Sequence, residues 1–285
     1  MLFEVRPTYN NSMKARYQYR IYPTDQQRLE LSKLFGCCRV VWNDALALIK
    51  STPKGEKWSS SAELQKICIT QAKKTEERKW LAEVSNIPLQ QSIQDLGIAL
   101  KNSFEYCKGK RKGWRVGFPR LKKKLNQQSA RFRKGGFSIK AGKVYLSKIG
   151  NIKTKWSRPL PSEPSSVTVI KNCTGRYFLS FVVEIRPITV EPKNQGVGVD
   201  LGLETLATLS TGEKVKEPET SALDRKIRKG KRKLARATKG SKRYEKLRIA
   251  VARTESRRRN IRRDFNQKLA TRLVRENSVV VLKER

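Results

Sequence analysis

The sequence predicts a multidomain α+β protein, and three observations predict it. Residues 24–108 read as a helical insert between strand-patterned stretches. The stretch Gly196-Val-Gly-Val-Asp200-Leu-Gly-Leu-Glu-Thr-Leu-Ala-Thr-Leu-Ser-Thr-Gly212 reads as a β-hairpin, followed by basic helices and a last apolar strand. At 285 residues the chain is long enough for two or three packed units.

Taken in order, residues 1–12 read as a loose leader, with Met13 an alternative start. Residues 13–23 alternate large and polar side chains and stop at Pro23, a strand signal. The alternation places Lys14, Arg16, Gln18 and Arg20 on one face. Thr24 opens a helix with Gln27 three residues on, the pattern of a capping box. Leu29, Leu31, Leu34 and Phe35 continue it as far as Gly36. A second helix follows from about Cys38 to Ile49, with Val41, Trp42, Ala45, Leu48 and Ile49 on its apolar face. A third helix covers Ser59 to Thr75, ending at Trp80–Val84. Pro88 to Lys108 is a longer one, with Leu89, Ile93, Leu96, Leu100 and Phe104 on one side.

Residues 130–186 return to a β pattern. Ser166–Lys171 and Tyr177–Ile185 form a hairpin around Cys173-Thr-Gly175. With residues 13–22 these strands are expected to close a small barrel. Pro187 to Gln195 is a linker. In the following hairpin, Val197–Asp200 is a buried strand, Leu201-Gly202 a positive-φ turn, and Thr205–Leu209 the return strand. Asp200 stands at a strand end, where a side chain can leave the core. That placement is typical of the RNase H-like fold, whose nucleases hold catalytic metal ions on such carboxylates. A plain turn aspartate is the other reading. Between Ala222 and Arg263 there are 19 Lys or Arg against three acids, broken at Thr238–Ser241 into an antiparallel helix pair. Val279–Leu282 reads as a strand buried on both faces, parallel to the Asp200 strand.

Charge narrows the partner. Lys and Arg number 64 against 25 acids, a net +39. Such an excess repels itself unless a polyanion offsets it. Nucleic acid is expected, with double-stranded DNA and RNA both open. No apolar run approaches the ~20 residues of a membrane span, and the N-terminus lacks the apolar core of a signal peptide. The five Cys, an odd number without Cys-x-x-Cys spacing, fit a reducing cytoplasm; all five read as buried small residues, and no metal site is expected. Lys108 to Lys124 is basic, with Trp114 and Phe118 interleaved to stack on bases; a solvated charge run that pins Phe118 into a core is the other reading. The residues expected along the nucleic-acid backbone are Lys14, Arg16, Lys110, Arg111, Lys112, Trp114, Arg120, Lys122, Lys123, Lys231, Arg232, Lys233, Arg257 and Arg258.

These residues resemble a known family, TnpB, the RNA-guided nuclease of insertion sequences and presumed ancestor of type V CRISPR effectors. The resemblance rests on Tyr19-Arg-Ile-Tyr-Pro23, Gly36-Cys-Cys-Arg-Val-Val-Trp-Asn43, Val116-Gly-Phe-Pro-Arg120, Gly198-Val-Asp-Leu-Gly202 and Arg262-Arg-Asp-Phe265. It implies a wedge (WED) β-barrel with a helical recognition (REC) insert, then a RuvC domain of RNase H-like α/β fold. The implied bounds are 1–23 (leader and first barrel strand), 24–110 (insert), 111–190 (barrel) and 191–285 (truncated RuvC-like part). It also implies a transposon-derived guide RNA (ωRNA) and a short target-adjacent motif on DNA, carried over to Trp58, Ser61, Asn86, Ile87 and Gln90. Gln suits adenine, and apolar groups suit a thymine methyl.

The departures concern catalysis. Asp200 aligns with the first RuvC acid, but Lys283 stands where the second, a glutamate, belongs. Glu284 is one residue late, and a one-residue slip in a strand reverses a side chain. The third aspartate and the zinc ribbon have no counterpart in these 285 residues. The expectation is a nuclease-dead, RNA-guided DNA-binding protein, similar in logic to truncated TnpB relatives that act as repressors on the nucleoid. The alternatives are an RNA-guided DNA endonuclease completed by a missing C-terminal part or a second polypeptide, and a general nucleic-acid-binding protein. No cofactor is expected, with Mg²⁺ only if the nuclease is completed.

Overall fold

The computed structural model describes residues 2–4, 12–53, 55–124, 127–186, 194–202 and 204–283, with backbone alone for 2–4, 194 and 195. The elements in chain order begin with β1 (Leu2–Glu4), β2 (Met13–Ile21), α1 (Asp25–Ser51), α2 (Ser61–Gln65) and α3 (Asn86–Cys107). Seven strands follow: β3 (Gln128–Arg133), β4 (Phe137–Lys140), β5 (Lys143–Leu146), β6 (Gly150–Ile152), β7 (Thr154–Lys155), β8 (Ser166–Lys171) and β9 (Tyr177–Ile185). The last elements are β10 (Asn194–Leu201), β11 (Ala207–Leu209), β12 (Lys214–Val215), α4 (Ser221–Ala235), α5 (Lys242–Glu276) and β13 (Asn277–Leu282). They form a mixed α/β protein of two compact units. One is residues 14–185; the other joins residues 1–13 to 186–285.

In the 14–185 unit, α1 starts where the sequence places it. The Thr24 side chain accepts from the Gln27 amide, and the Gln27 side chain accepts from the Thr24 amide. Its course differs from expectation, because the helix runs unbroken through Gly36. A mid-helix glycine costs about 1 kcal/mol. Leu34, Phe35, Cys37 and Cys38 on either side of it are all buried, and that burial outweighs the cost. After α2, the chain stays helical through a π-helical turn at Lys66–Gln71 and a 3₁₀ turn at Ala72–Lys74.

Five strands pair in the order β3-β8-β9-β2-β7, and three more as β4-β5-β6. Where the sequence predicts a single closed barrel, the hydrogen bonds join the strands as two sheets. Both share one core with α1 and α3. At its centre, Trp156 stacks on Phe181 at 5.8 Å, and Tyr19 lies 4.7 Å from Trp156.

The cysteines divide. Cys37, Cys38 and Cys68 are buried, whereas Cys107 and Cys173 are exposed, which corrects the reading of all five as core. Cys107 ends α3 and Cys173 sits in the β8–β9 turn, positions with no second layer above them. Burial pushes the Cys37 and Cys68 thiols up to about 11 and Cys38 to about 12. Since the thiolate is the reactive form, a disulfide reagent at pH 8 should titrate two thiols quickly and three only after denaturation. Five equally fast thiols would contradict this packing.

The other unit is a five-stranded sheet in the order β1-β13-β10-β11-β12. β10 and β11 are antiparallel, while β13 returns parallel to β10, as the sequence predicts. Leu2–Glu4, expected to be loose, pairs antiparallel with β13. Val197 and Val199 are buried with Leu209 and Leu273, and Phe265, Leu269, Val280 and Leu282 pack against them. Thus α5 covers one face of the sheet. The expectation that β13 is buried on both faces fails there: Val281, turned to the other face, is 38% exposed.

Helices α4 and α5 form the expected antiparallel pair, with Ile227 and Val251 buried. A Cβ on Gly230 would come within 2.8 Å of Val251, so the glycine sets the close approach.

Candidate nucleic-acid interface

The open face of the second sheet is built by alternation. In β10, Val197 and Val199 turn to α5, so Gly196, Gly198 and Asp200 turn the other way. The two glycines add no side chain to this face, and Ser210 lies against Gly198, its Oγ accepting from the Gly198 amide at 3.0 Å. Val199 pairs with Leu282, so Lys283 comes next to Asp200, and its amide donates to the Val199 carbonyl at 3.1 Å. Lys283 Nζ lies 3.8 Å from Asp200 Oδ2, with both side chains more than half exposed. Thr208, paired with Asp200, shares this face, as does Lys214, paired with Thr208. Reasoning from sequence missed both; the register of the return strands was the signal.

Such an exposed pair contributes at most about 1 kcal/mol. Its meaning is chemical. The Mg²⁺ that the resemblance implies needs several oxygen ligands, and here one carboxylate faces an ammonium. No group of three or more His, Cys, Asp or Glu able to hold a metal occurs among the described residues. The residues present do not fit the ion. Glu284 lies outside the described residues.

Gly202 was expected to supply a positive φ and does not. It is needed for a different reason. A Cβ there would meet the Thr205 carbonyl oxygen at 2.6 Å. Gly202→Ala should therefore force the turn beyond Asp200 open, at about 1–3 kcal/mol. A urea midpoint unchanged from the parent chain would refute this.

The five motif-reading candidates do not form one cluster. Trp58 packs on Phe104 and Phe118, with ring centroids 5.1 and 6.2 Å away. Ser61 Oγ lies 3.4 Å from where a Gly97 Cβ would stand. Asn86, Ile87 and Gln90 sit at the start of α3, roughly 10–16 Å from Gly97 along the helix. Asn86 Oδ1 accepts from Lys73 Nζ at 3.0 Å. Ile87 is half-buried against the turn at Gly136, a packing role.

The basic candidates also divide. Lys14 and Arg16 are exposed on one face of β2. Lys110, Arg111 and Lys112 are exposed, with Arg111 bonded to Asn102 at 2.8 Å, and Trp114 is 95% exposed. Lys122 is tied down: its Nζ stands 3.8 Å over the Trp42 ring, and burial lowers its pKa. Trp42 Nε1 donates to the Arg120 carbonyl at 3.1 Å. Asn43 closes a two-way link with the Lys122 backbone, at 2.8 and 3.1 Å. Two sequence motifs, residues 36–43 and 116–120, are thus parts of one joint. The side chains of Arg120 and Lys123 are exposed.

On the helix pair, Arg232, Lys233 and Arg257 are exposed. Lys231 pairs with Glu255 at 2.8 Å, and Arg258 pairs with Asp224. Arg258 belongs to a larger strap: Glu213 holds Arg272, Glu217 holds Arg262 and Asp224 holds Arg258. The segment before α4 therefore runs antiparallel along one face of α5. The Arg258 guanidinium, with Thr220, holds the Asp224 carboxyl below the usual carboxylate range. A depressed carboxyl stabilises above its ordinary pKa near 4, and the contribution is lost as pH falls through the folded value. Backbone amides of α4 should lose exchange protection as the pH falls below about 4. Asp224→Asn should show the same loss at pH 6; unchanged protection in that variant would refute the strap.

Together, a mixed α/β fold, a large cationic surface and an exposed sheet face with a strand-end carboxylate point to a class: proteins that handle nucleic acid. Comparison with known proteins narrows it. The family model described as "Probable transposase", OrfB of IS605, matches residues 180–284, and its "Helix-turn-helix domain" matches 13–57. In this chain the latter span holds a strand and one uninterrupted helix. A "Putative RNA-guided DNA endonuclease" of Streptomyces pristinaespiralis is 39% identical over 277 residues, 95% of this chain and 67% of that protein. "Putative RNA-guided DNA endonuclease InsQ" of Escherichia coli (strain K12) is 31% identical over 94% of this chain and 65% of its own length. "Putative RNA-guided DNA endonuclease Rv2885c" of Mycobacterium tuberculosis (strain ATCC 25618 / H37Rv) is 25% identical over 93% and 65%. The chain spans about two thirds of the length of these curated relatives. It belongs to the TnpB family of insertion-sequence proteins. Among the described residues, no helix is long and apolar enough to cross a membrane.

Proposed function

We propose that these 285 residues form an RNA-guided DNA-binding protein that grips a guide-matched duplex without cutting it. A guide RNA and a DNA target are the partners that the relatives' names supply. The observation that carries the absence of cutting is Lys283 Nζ, 3.8 Å from Asp200 on the sheet's exposed face. An ammonium beside the carboxylate neutralises the charge that would gather a divalent ion, so phosphate binding is favoured over phosphate cleavage. In this reading residues 24–110 are the recognition insert, 111–190 with the first strand the two-sheet wedge part, and 191–285 the RuvC-like part. Trp58 and Ser61 are the stronger motif-reading pair, because Asn86 and Ile87 are engaged elsewhere. Exposed Lys14, Arg16, Lys110, Arg111, Lys112, Arg120, Lys123, Arg232, Lys233 and Arg257 contact phosphates, and the protein works on nucleoid DNA in the cytoplasm.

The test begins with the RNA that co-purifies with the protein, which is sequenced. Matched DNA and Mg²⁺ are then added. The expected result is a retarded, guide-dependent complex with intact DNA. Guide-dependent strand breaks made by this chain alone would end the proposal. A second reading rests on the relatives' greater length: the remaining third, supplied as a separate polypeptide, completes the nuclease. It predicts cleavage only when that part is added.

A further inference from the structure

The β4-β5-β6 sheet has a face that nothing above uses. Its register places Phe137, Ile139, Val144, Leu146 and Ile152 toward the core. Ser138, Lys140, Lys143, Tyr145 and Asn151 therefore point away from it, by the two-residue period of a strand. Lys140 stands directly opposite Lys143, Ser138 opposite Tyr145, and Tyr145 opposite Asn151. Tyr145 is 43% exposed. The hairpin that brings the two lysines together turns through Ala141 and Gly142, both at positive φ.

Like charges directly opposite on a sheet destabilise it. Nothing nearby in sequence relieves this pair, since residues 106–162 hold 18 Lys or Arg and no Asp or Glu. Among the described residues neither lysine has an acidic partner within 4 Å, and the side chains of Ser138, Tyr145 and Asn151 make no hydrogen bond or ring contact.

An aromatic ring flanked by two ammonium groups, an amide and a hydroxyl is the chemistry that holds one unpaired nucleotide. The ring stacks on the base and the cations meet its phosphates. The amide and hydroxyl suit a 2′-hydroxyl, which marks RNA. We infer that this sheet face is a binding site for a single-stranded segment of RNA, centred on Tyr145. The inference rests on the RNA-binding part of the proposed function and locates one place where the RNA is held.

The test uses the full chain, washed free of RNA at high salt, with labelled oligouridine, oligothymidine and a short DNA duplex. Tyr145→Ala should weaken oligouridine binding about tenfold, as loss of one stacked base does. Tyr145→Phe, which keeps the ring, should bind within about twofold of the parent chain. K140Q/K143Q should lower the slope of log affinity against log salt by about 1.4, two single-strand phosphates. Matching urea midpoints separate these effects from unfolding. If Tyr145→Ala does not fold, Tyr145→Phe and the lysine pair decide.

Parent-like RNA binding by Tyr145→Ala, or an equal loss with the duplex, would overturn the site. An equal loss with oligothymidine would overturn its assignment to RNA. The two proposals fail separately: guide-dependent DNA retention tests the function, whereas these variants test the sheet face.

Discussion

Trp42→Ala is expected to lower the unfolding free energy by about 3–5 kcal/mol. Total stabilities run to about 5–15 kcal/mol, so the variant should stand near the edge of folding. Three losses coincide. The ring, 8% exposed, leaves a cavity inside the core that α1 shares with both sheets. The Arg120 carbonyl loses the Nε1 donor 3.1 Å away. Lys122, whose Nζ stands 3.8 Å over the ring, loses the aromatic face that compensates its burial. Trp42→Phe should restore most of the packing but not the hydrogen bond, and lie about 1–3 kcal/mol below the parent chain. The measurement is the urea midpoint at constant slope. A shift below about 1 kcal/mol for Trp42→Ala would mean that the joint between residues 36–43 and 116–122 contributes little.

Raising salt from 50 to 200 mM is expected to weaken RNA or DNA binding by about a thousandfold or more, as for any protein engaging six to ten phosphates. A net charge of +39 supports such an engagement. The structure narrows which cations carry it. Arg258, Arg262 and Arg272 are held by acids of the strap, and Lys231 by Glu255. Arg232, Lys233 and Arg257 are exposed. Substituting these three by Gln should reduce the salt slope on duplex DNA by about 2.7, at roughly 0.9 per phosphate. Arg258→Gln should instead lower stability and leave the slope nearly unchanged. Equal slopes for the triple variant and the parent chain would place the nucleic acid elsewhere.

Much of the fold was legible because its signals are local. The capping box at Thr24, the period-2 strands at 166–171 and 177–185, and the break at 238–241 each depend on residues a few positions apart. Gly36 misled because a local propensity of about 1 kcal/mol competes with buried neighbours that only the packed fold supplies. Gly202 was placed correctly for the wrong reason: the constraint is the Thr205 carbonyl, 2.6 Å from a would-be Cβ, and not the sign of φ. Cys107 and Cys173 read as core because cysteine is usually buried; their positions at a helix end and in a turn leave nothing to cover them. The Asp200–Lys283 pair was legible because the resemblance puts Lys283 in the place of the second acid, and because a strand that follows a hairpin and a long helix returns parallel.

The amino-acid sequence by itself determined the class of the elements, the cationic excess and the family, because charge, periodicity and motif spacing are properties of the chain. Only the tertiary structure decided which cations are spent on acids and rings and which face solvent. The ion pairs Asp224–Arg258 and Arg272–Glu213 and the cover of Lys122 over Trp42 join residues far apart in sequence. Whether a charge is free depends on that company, which no local pattern encodes.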